Sequence, residues 1–249
     1  MRIAVIADIH GNILALDAVL IDIAGREVDL IVNLGDCLSG PLWPRETFDR
    51  LKALGAPTVR GNHDRIVGEA ARDGMGPSDG FAYDVLTAAE RAELAGIPFF
   101  REFAPGIVGF HATPEYDDRY VLDDIVDGRL VRAPLAKIER RLGPVAARVV
   151  LMGHSHRPDM VRLPSGALLI NPGSVGNPGY EDLTGRKHVS EAGTPHARYA
   201  IVDHSSGDSM PDVTFRAVSY DFKRAARRAE ENHRPGWAQA LRTGFMPSA

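Results

Sequence analysis

The chain contains one cysteine, Cys37, in 249 residues, so no disulfide can form within it, and the composition fits a reducing compartment. Cys37 itself is read as a small apolar filler beneath a polar strand end. Positive charge is not in excess either: 29 Lys and Arg stand against 33 Asp and Glu, a formal net charge of -4. Such a surface has no broad attraction for nucleic-acid backbones or anionic bilayers, so any phosphate binding has to be local and mediated by a bound cation. No apolar run is long enough to cross a bilayer, and residues 2–7 are too short for a signal-peptide core before they reach Asp8 and His10. The expected location is the cytoplasm. Internal repeats and low-complexity tracts are lacking. What remains is an ordinary globular composition, 44% hydrophobic, enough for one α/β domain over residues 1–220 with a helical tail, 221–249, packed on it.

Residues 2–7 form a short β-branched run with an abrupt polar end, Asp8-Ile9-His10, the mark of a buried strand. Gly11-Asn12 then opens an amphipathic helix carried by Leu14, Leu16, Val19, Leu20 and Ile23 and stopped at Gly25, with Asn12 as its cap. Residues 29–34 repeat the strand pattern and end at Gly35-Asp36. A helix over 45–54 leads to a third strand, Thr58-Val59-Arg60, and the turn Gly61-Asn62-His63-Asp64. This alternation predicts parallel pairing. The turn-rich residues 72–82 are expected as a loop over the site, and Thr87-Ala88-Ala89-Glu90 spells a capping box. Hairpins around Pro105-Gly106 and Pro164-Ser165-Gly166 bring antiparallel strands into the second half, with a helix over 135–142 and a buried strand over 148–152 between them. Residues 116–131 are acidic and without a clear period. Residues 177–196, polar and Gly-rich, are expected as a mobile loop.

Polar clusters recur where apolar runs end: Asp8 and His10, Asp36, Asn62 with His63 and Asp64, His111, and His154 with His156. Open α/β sheets bind ligands at the C-terminal ends of their strands. Hard oxygen donors mixed with imidazoles suit first-row divalent metals, and these ligands are too many for one zinc. With Asp36 bridging, Asp8, His10, Asp36, Asn62, His111, His154 and His156 divide between two adjacent cations, and His63 is left free to act as an acid. His188, His196, His204 and His233 have no partners of this kind and are read as ordinary core or surface residues.

Taken in order, Asp8-x-His10, Gly35-Asp36, Gly61-Asn62-His63-Asp64, His111 and Gly153-His154-Ser155-His156 resemble the motifs of the calcineurin-like metallophosphoesterases. The segment Asn171-Pro172-Gly173-Ser174-Val175-Gly176 resembles small bacterial and archaeal members, and Gly35-Asp36 followed by Gly40-Pro41 resembles the small prokaryotic phosphodiesterase-type members. The resemblance implies an α/β fold of mixed β-sheets in a sandwich flanked by helices, in four layers, αββα. It also implies one metal held by Asp8, His10, Asp36 and His156, and a second by Asp36, Asn62, His111 and His154. Manganese is the first candidate, with iron, zinc, nickel or magnesium as alternatives. The implied reaction is attack on phosphorus by a metal-bridging hydroxide, with His63 protonating the leaving group and Asp64 orienting the His63 ring. No Asp-Arg-Gly follows Gly35-Asp36, which argues against the protein-phosphatase subclass. The expected substrate is a small phosphoester, a phosphodiester or nucleotide. A phosphomonoesterase, a dinucleoside polyphosphate hydrolase and a silent scaffold are the alternatives.

Overall fold

The computed structural model describes residues 1–204 and 210–247. Its first half runs β1 (Arg2–Ile6), α1 (Ile13–Ala24), β2 (Leu30–Asn33), α2 (Pro44–Leu54), α3 (Asn62–Glu69), a 3-10 turn at Arg72–Gly74, α4 (Pro77–Val85) and α5 (Ala88–Ala95). The second half runs β3 (Phe100–Ala104), β4 (Ile107–Phe110), β5 (Asp123–Val126), β6 (Arg129–Arg132), α6 (Leu135–Leu142), β7 (Val149–Leu151), β8 (Asp159–Arg162) and β9 (Leu168–Asn171). It closes with β10 (Gly179–Asp182), β11 (His188–Glu191), β12 (Ala197–Asp203), β13 (Asp212–Val218), α7 (Phe222–Glu231) and α8 (Pro235–Thr243).

The strands form three mixed sheets, ordered β13-β12-β1-β2, β3-β4-β7-β9-β8 and β10-β11-β6-β5. The first two face each other. Alternate residues of β1 and β2, Ile3, Val5, Ala7, Val32 and Leu34, pack in one buried cluster with Ile107, Val149, Leu151, Leu168 and Ile170 of the opposing sheet. The intervening residues of β1, Ala4 and Ile6, turn outward onto Ala15, Leu16, Val19 and Leu20 of α1. The outer face of the second sheet, including Val108, Phe110, Val150 and Leu169, is covered by Ile138 and Leu142 of α6. The result is the four-layer αββα order. Each fully buried aliphatic side chain contributes about 1.5–3 kcal/mol to holding the layers together.

Local signals account for most boundaries. Asn12 accepts a hydrogen bond from the Ala15 amide at 3.2 Å, and Thr87 and Glu90 close their reciprocal cap. Asp127 and Gly128 both have positive φ, the two-residue turn that joins β5 to β6, so the acidic segment with no clear period contains a hairpin.

Three expectations need correction. The strand expected at Thr58-Val59-Arg60 shrinks to one parallel bridge between Asn33 and Thr58, because the Arg60 amide leaves the sheet for the Pro98 carbonyl. Residues 72–82 are not a loop: Pro77 occupies the first turn of α4, where its missing N–H costs nothing. Residues 177–196 contain β10 and β11, paired antiparallel. Here the buried side chains of β11 are the polar His188 and Ser190, so a search for apolar alternation passes over it.

The tail folds back on the rest of the chain: Ala225, Ala226, Ala229, Ala238 and Leu241 bury against Leu42. Parallel pairing of β1 with β2 and of β4 with β7 sends the C-terminal ends of all four strands toward one edge of the sandwich. Asp8, Asp36, His111 and His154 follow those ends.

Candidate metal centre

The loops after these strands are bent sharply to aim their side chains. Asp8, His10, Asp36, His154 and His156 all have positive φ, between 52° and 68°. A non-glycine residue in that region costs on the order of 1–3 kcal/mol, and such strain gathers where a site is over-determined by its surroundings. Glycines make the room. A Cβ on Gly61 would lie 2.1 Å from Asp36 Oδ1, and one on Gly153 would lie 2.9 Å from Asp8 Oδ2. The Asn171–Gly176 segment supports the same loops, Asn171 Nδ2 donating to the Gly153 carbonyl at 2.6 Å and Ser174 Oγ to the Asp8 carbonyl at 2.7 Å.

The side chains assemble into two groups of three, Asp8 with His10 and His156, and Asp36 with His111 and His154; within each group the ligand atoms lie within 4.8 Å of one another. Asp36 reaches both groups. Its Oδ2 is 3.2 Å from His111 Nε2 and 3.8 Å from His10 Nε2. Asp8 Oδ1 is 3.4 Å from His156 Nε2 and 3.9 Å from His111 Nε2.

Ring tautomers follow from the partners, because a carbonyl oxygen can only accept. His10 Nδ1 donates to the Ser39 carbonyl, His111 Nδ1 to that of Leu34 and His156 Nδ1 to that of Asn177, each at 2.7 Å. Every Nε2 is thereby turned toward the cluster, the arrangement that orients metal-ligating imidazoles. His10 Nε2 and His156 Nε2 face each other at 3.1 Å. Two neutral rings would oppose lone pairs there, so the gap calls for a shared cation or proton. Asp8 Oδ2 and Asn62 Oδ1 are buried without a hydrogen-bond partner among the described residues. Buried polar atoms left unpaired cost about 1–3 kcal/mol each, a cost that coordination of divalent ions would remove. The donor set fits such ions.

Without cations the site takes up protons unevenly. Burial pushes His111 down, but the Asp36 carboxylate and its ion pair outweigh this and raise it to about 10. Burial and the neighbouring His156 lower His10 to about 4, and burial and His111 lower His154 to about 3. Asp36 stays well below the ordinary carboxylate value because His111, with His63 and His10, overcomes its burial.

His63 stands beside this cluster, its ring 5.6 Å from that of His10. Its backbone amide donates to Asp36 Oδ1 at 3.0 Å. The ring is held by Asp79 Oδ1, 2.7 Å from Nδ1, and not by Asp64. Asp64 instead accepts from the amides of Asp36, Cys37 and Gly61 at 2.8, 2.9 and 3.0 Å, tying the two ligand loops together. The orienting role expected of Asp64 therefore passes to Asp79, in the helix that stands where a loop was expected. Burial would depress His63; the charge of Asp36 and the bond and charge of Asp79 reverse that and raise it to about 9.

Sequence reasoning also missed an aromatic wall. Tyr120 stacks on His154 with ring centroids 4.9 Å apart, and Tyr180 meets His156 edge-on at 4.6 Å. Tyr120 Oη lies 2.7 Å from Tyr180 Oη and 2.6 Å from His188 Nε2, which gives His188 a partner after all. Beyond Tyr120 a groove of about 490 Å³ opens, lined by Arg119, Asp182, Thr184, Arg186 and His188 among others.

A family model described as the calcineurin-like phosphoesterase superfamily domain matches residues 1–203. The chain belongs to this superfamily. It is similar to a metallophosphoesterase from Sphaerobacter thermophilus, whose crystal structure is 25% identical with a TM-score of 0.73, covering 98% of this chain and 100% of that one. The structure of a hypothetical protein from Pyrococcus horikoshii OT3 shares the fold at 21% identity, a TM-score of 0.75 and 99% coverage of both chains. An uncharacterized protein of Methanocaldococcus jannaschii is 28% identical over 260 residues, 94% of either chain. Superfamily membership supports a phosphoesterase hydrolase, and no helix among the described residues is long and apolar enough to cross a membrane.

Proposed function

We propose that the protein is a dinuclear metal-dependent phosphodiesterase acting on small organic phosphoesters, nucleotides among them. The observation that carries this reading is the pair of abutting ligand groups with Asp36 between them. Asp8, His10, Asp36 and His156 would hold one ion, and Asp36, Asn62, His111 and His154 the other, manganese being the first candidate. Two divalent ions, when bound, neutralise phosphoryl oxygens and activate water for attack on phosphorus.

The chain's own residues supply the rest. The hydrogen bond and charge of Asp79 favour the protonated ring of His63, which would donate its Nε2 proton to the leaving oxygen. The hydrogen bond from Nδ1 to Asp79 fixes the ring so that Nε2 is the free edge. Tyr120 and Tyr180 shield two of the imidazole ligands from solvent, and the groove beyond Tyr120 has the volume of an organic substituent of the size of a nucleoside. Room for one organic substituent suits a monoester, a diester and a dinucleoside polyphosphate alike; the choice of a diester rests on the likeness of the Gly35-Asp36 to Gly40-Pro41 segment to phosphodiesterase-type members. A silent scaffold would have no use for strained ligand loops. The mildly acidic surface and the lone, buried Cys37 support a cytoplasmic location.

The test is hydrolysis by manganese-loaded protein of bis(para-nitrophenyl) phosphate against para-nitrophenyl phosphate. The diester should show the higher kcat/KM. Turnover of the monoester alone would reassign the substrate, and turnover of neither would remove the catalytic reading.

A further inference from the structure

The matched superfamily domain ends at residue 203, yet the C-terminal helices reach the site. Trp237 of α8 sets its ring edge-on to the metal-facing His10, centroids 5.9 Å apart. The contact depends on residue 40 being glycine: a Cβ there would lie 2.4 Å from the His10 carbonyl oxygen and 3.1 Å from the Trp237 ring.

Arg234, just before α8, is half-buried and donates from Nη2 to Ser78 Oγ at 3.1 Å. Ser78 and Asp79 are consecutive in the first turn of α4, and Asp79 holds the His63 ring. The guanidinium is therefore tied to the residue preceding Asp79, near enough for the Asp79 charge to act on it. Burial lowers its affinity for protons, and the charge of Asp79 offsets this in part.

Other arginines of this flank are committed elsewhere: Arg60 to Glu69, Arg65 to Asp117 and Arg72 to Asp84. Among the described residues no carboxylate lies within 4.0 Å of Arg234, and Ser78 is its one side-chain partner. A guanidinium offers five donors in a planar fork that matches two oxygens of a phosphoryl group. A partly desolvated fork with most of its donors uncommitted to protein side chains, tied to the residue beside the carboxylate that holds His63, is able to receive an anion.

We propose that Arg234 is a substrate-binding residue that takes the phosphoryl oxygens of the ester on the side where His63 faces the leaving oxygen, with Trp237 walling that side. This rests on the phosphoesterase reading above and extends it: the tail beyond the superfamily domain completes the site. The ligand class is a phosphoester anion, and inorganic phosphate, the simplest anion of the same shape, is bound by the same fork.

The test is a titration of metal-loaded protein with inorganic phosphate, read by the emission of Trp237 in a Trp43→Phe background. Phosphate should change the emission saturably. Arg234→Met, which keeps the aliphatic packing and removes the charge, should weaken phosphate binding by about 10- to 100-fold, and Arg234→Lys by less. Metal content and melting temperature should match the parent, which excludes an unseated tail, and KM for bis(para-nitrophenyl) phosphate should rise in parallel. Phosphate affinity and KM unchanged in Arg234→Met would overturn the proposal. Absence of turnover in the parent protein would count against the phosphoesterase reading, while the phosphate affinities still decide the role of Arg234.

Discussion

Replacing Asp79 by Asn leaves an oxygen within reach of His63 Nδ1 and removes only the charge. The imidazolium keeps a charge-assisted hydrogen bond to the Asn oxygen and loses only the opposite charge, so within the range of about 1.5–3 kcal/mol for bonds to charged groups the exchange costs roughly 1–1.5 kcal/mol. At 1.36 kcal/mol per unit this is a fall of about one pKa unit. His63, raised to about 9, should move toward 8 and no further, because the charge of Asp36, the largest single cause that raises it, is still present. Asp79→Ala also deletes the acceptor and frees the ring to rotate; there the fall should approach two units. An NMR titration of the His63 ring in metal-free protein reads the shift directly. In metal-loaded protein kcat should drop at neutral pH for substrates with poor leaving groups. An unmoved His63 titration in both variants would refute the Asp79 pairing. An unchanged kcat profile in His63→Asn would remove His63 as the proton donor.

Gly61→Ala places a methyl 2.1 Å from Asp36 Oδ1 and 2.5 Å from the Asp36 amide, so the loop has to shift; overpacking of this kind costs about 1–3 kcal/mol, and metal affinity should fall with stability, both measurable by thermal melts with and without manganese. Stability of the metal-free protein should peak near pH 6.5. On the alkaline side His63 and His111, raised to about 9 and 10, contribute stability that is fully present below 6.5 and lost as pH rises through those values. On the acid side His10 and His154, lowered to about 4 and 3, resist protonation in the folded state, so stability is lost as pH falls from 6.5 through 4; Asp64, raised to about 6, opposes this as a single group against two. Urea midpoints at pH 4.5, 6.5 and 9.5 check the peak, and a monotonic trend would contradict it.

That Asp8, His10, Asp36, His111, His154 and His156 gather in one place was legible because such polar residues follow the ends of apolar runs, and β1, β4 and β7 are buried on both faces and read as such. Asp79 was hidden by its neighbours: a stretch rich in Gly, Asp and Pro looks like a loop, although Pro77 followed by an acidic residue is also how a helix begins. Tyr180 and His188 were hidden for another reason. Their strands turn polar side chains inward, Ser190 Oγ donating to the Ser155 carbonyl at 2.6 Å, and a hydrophobic period carries no trace of a buried face satisfied by hydrogen bonds. The Asp127-Gly128 turn was a readable signal passed over in an acidic segment. Arg234 and Trp237 left no signal, since their relation to His63 and His10 exists only once the tail has folded back.

Metal stoichiometry tests the dinuclear centre most directly. Crystals soaked in manganese should show two anomalous peaks per chain, one among Asp8, His10 and His156, the other among Asn62, His111 and His154, with Asp36 between them, and Asp36→Ala should lose both. One peak or none, or full occupancy in Asp36→Ala, would contradict it.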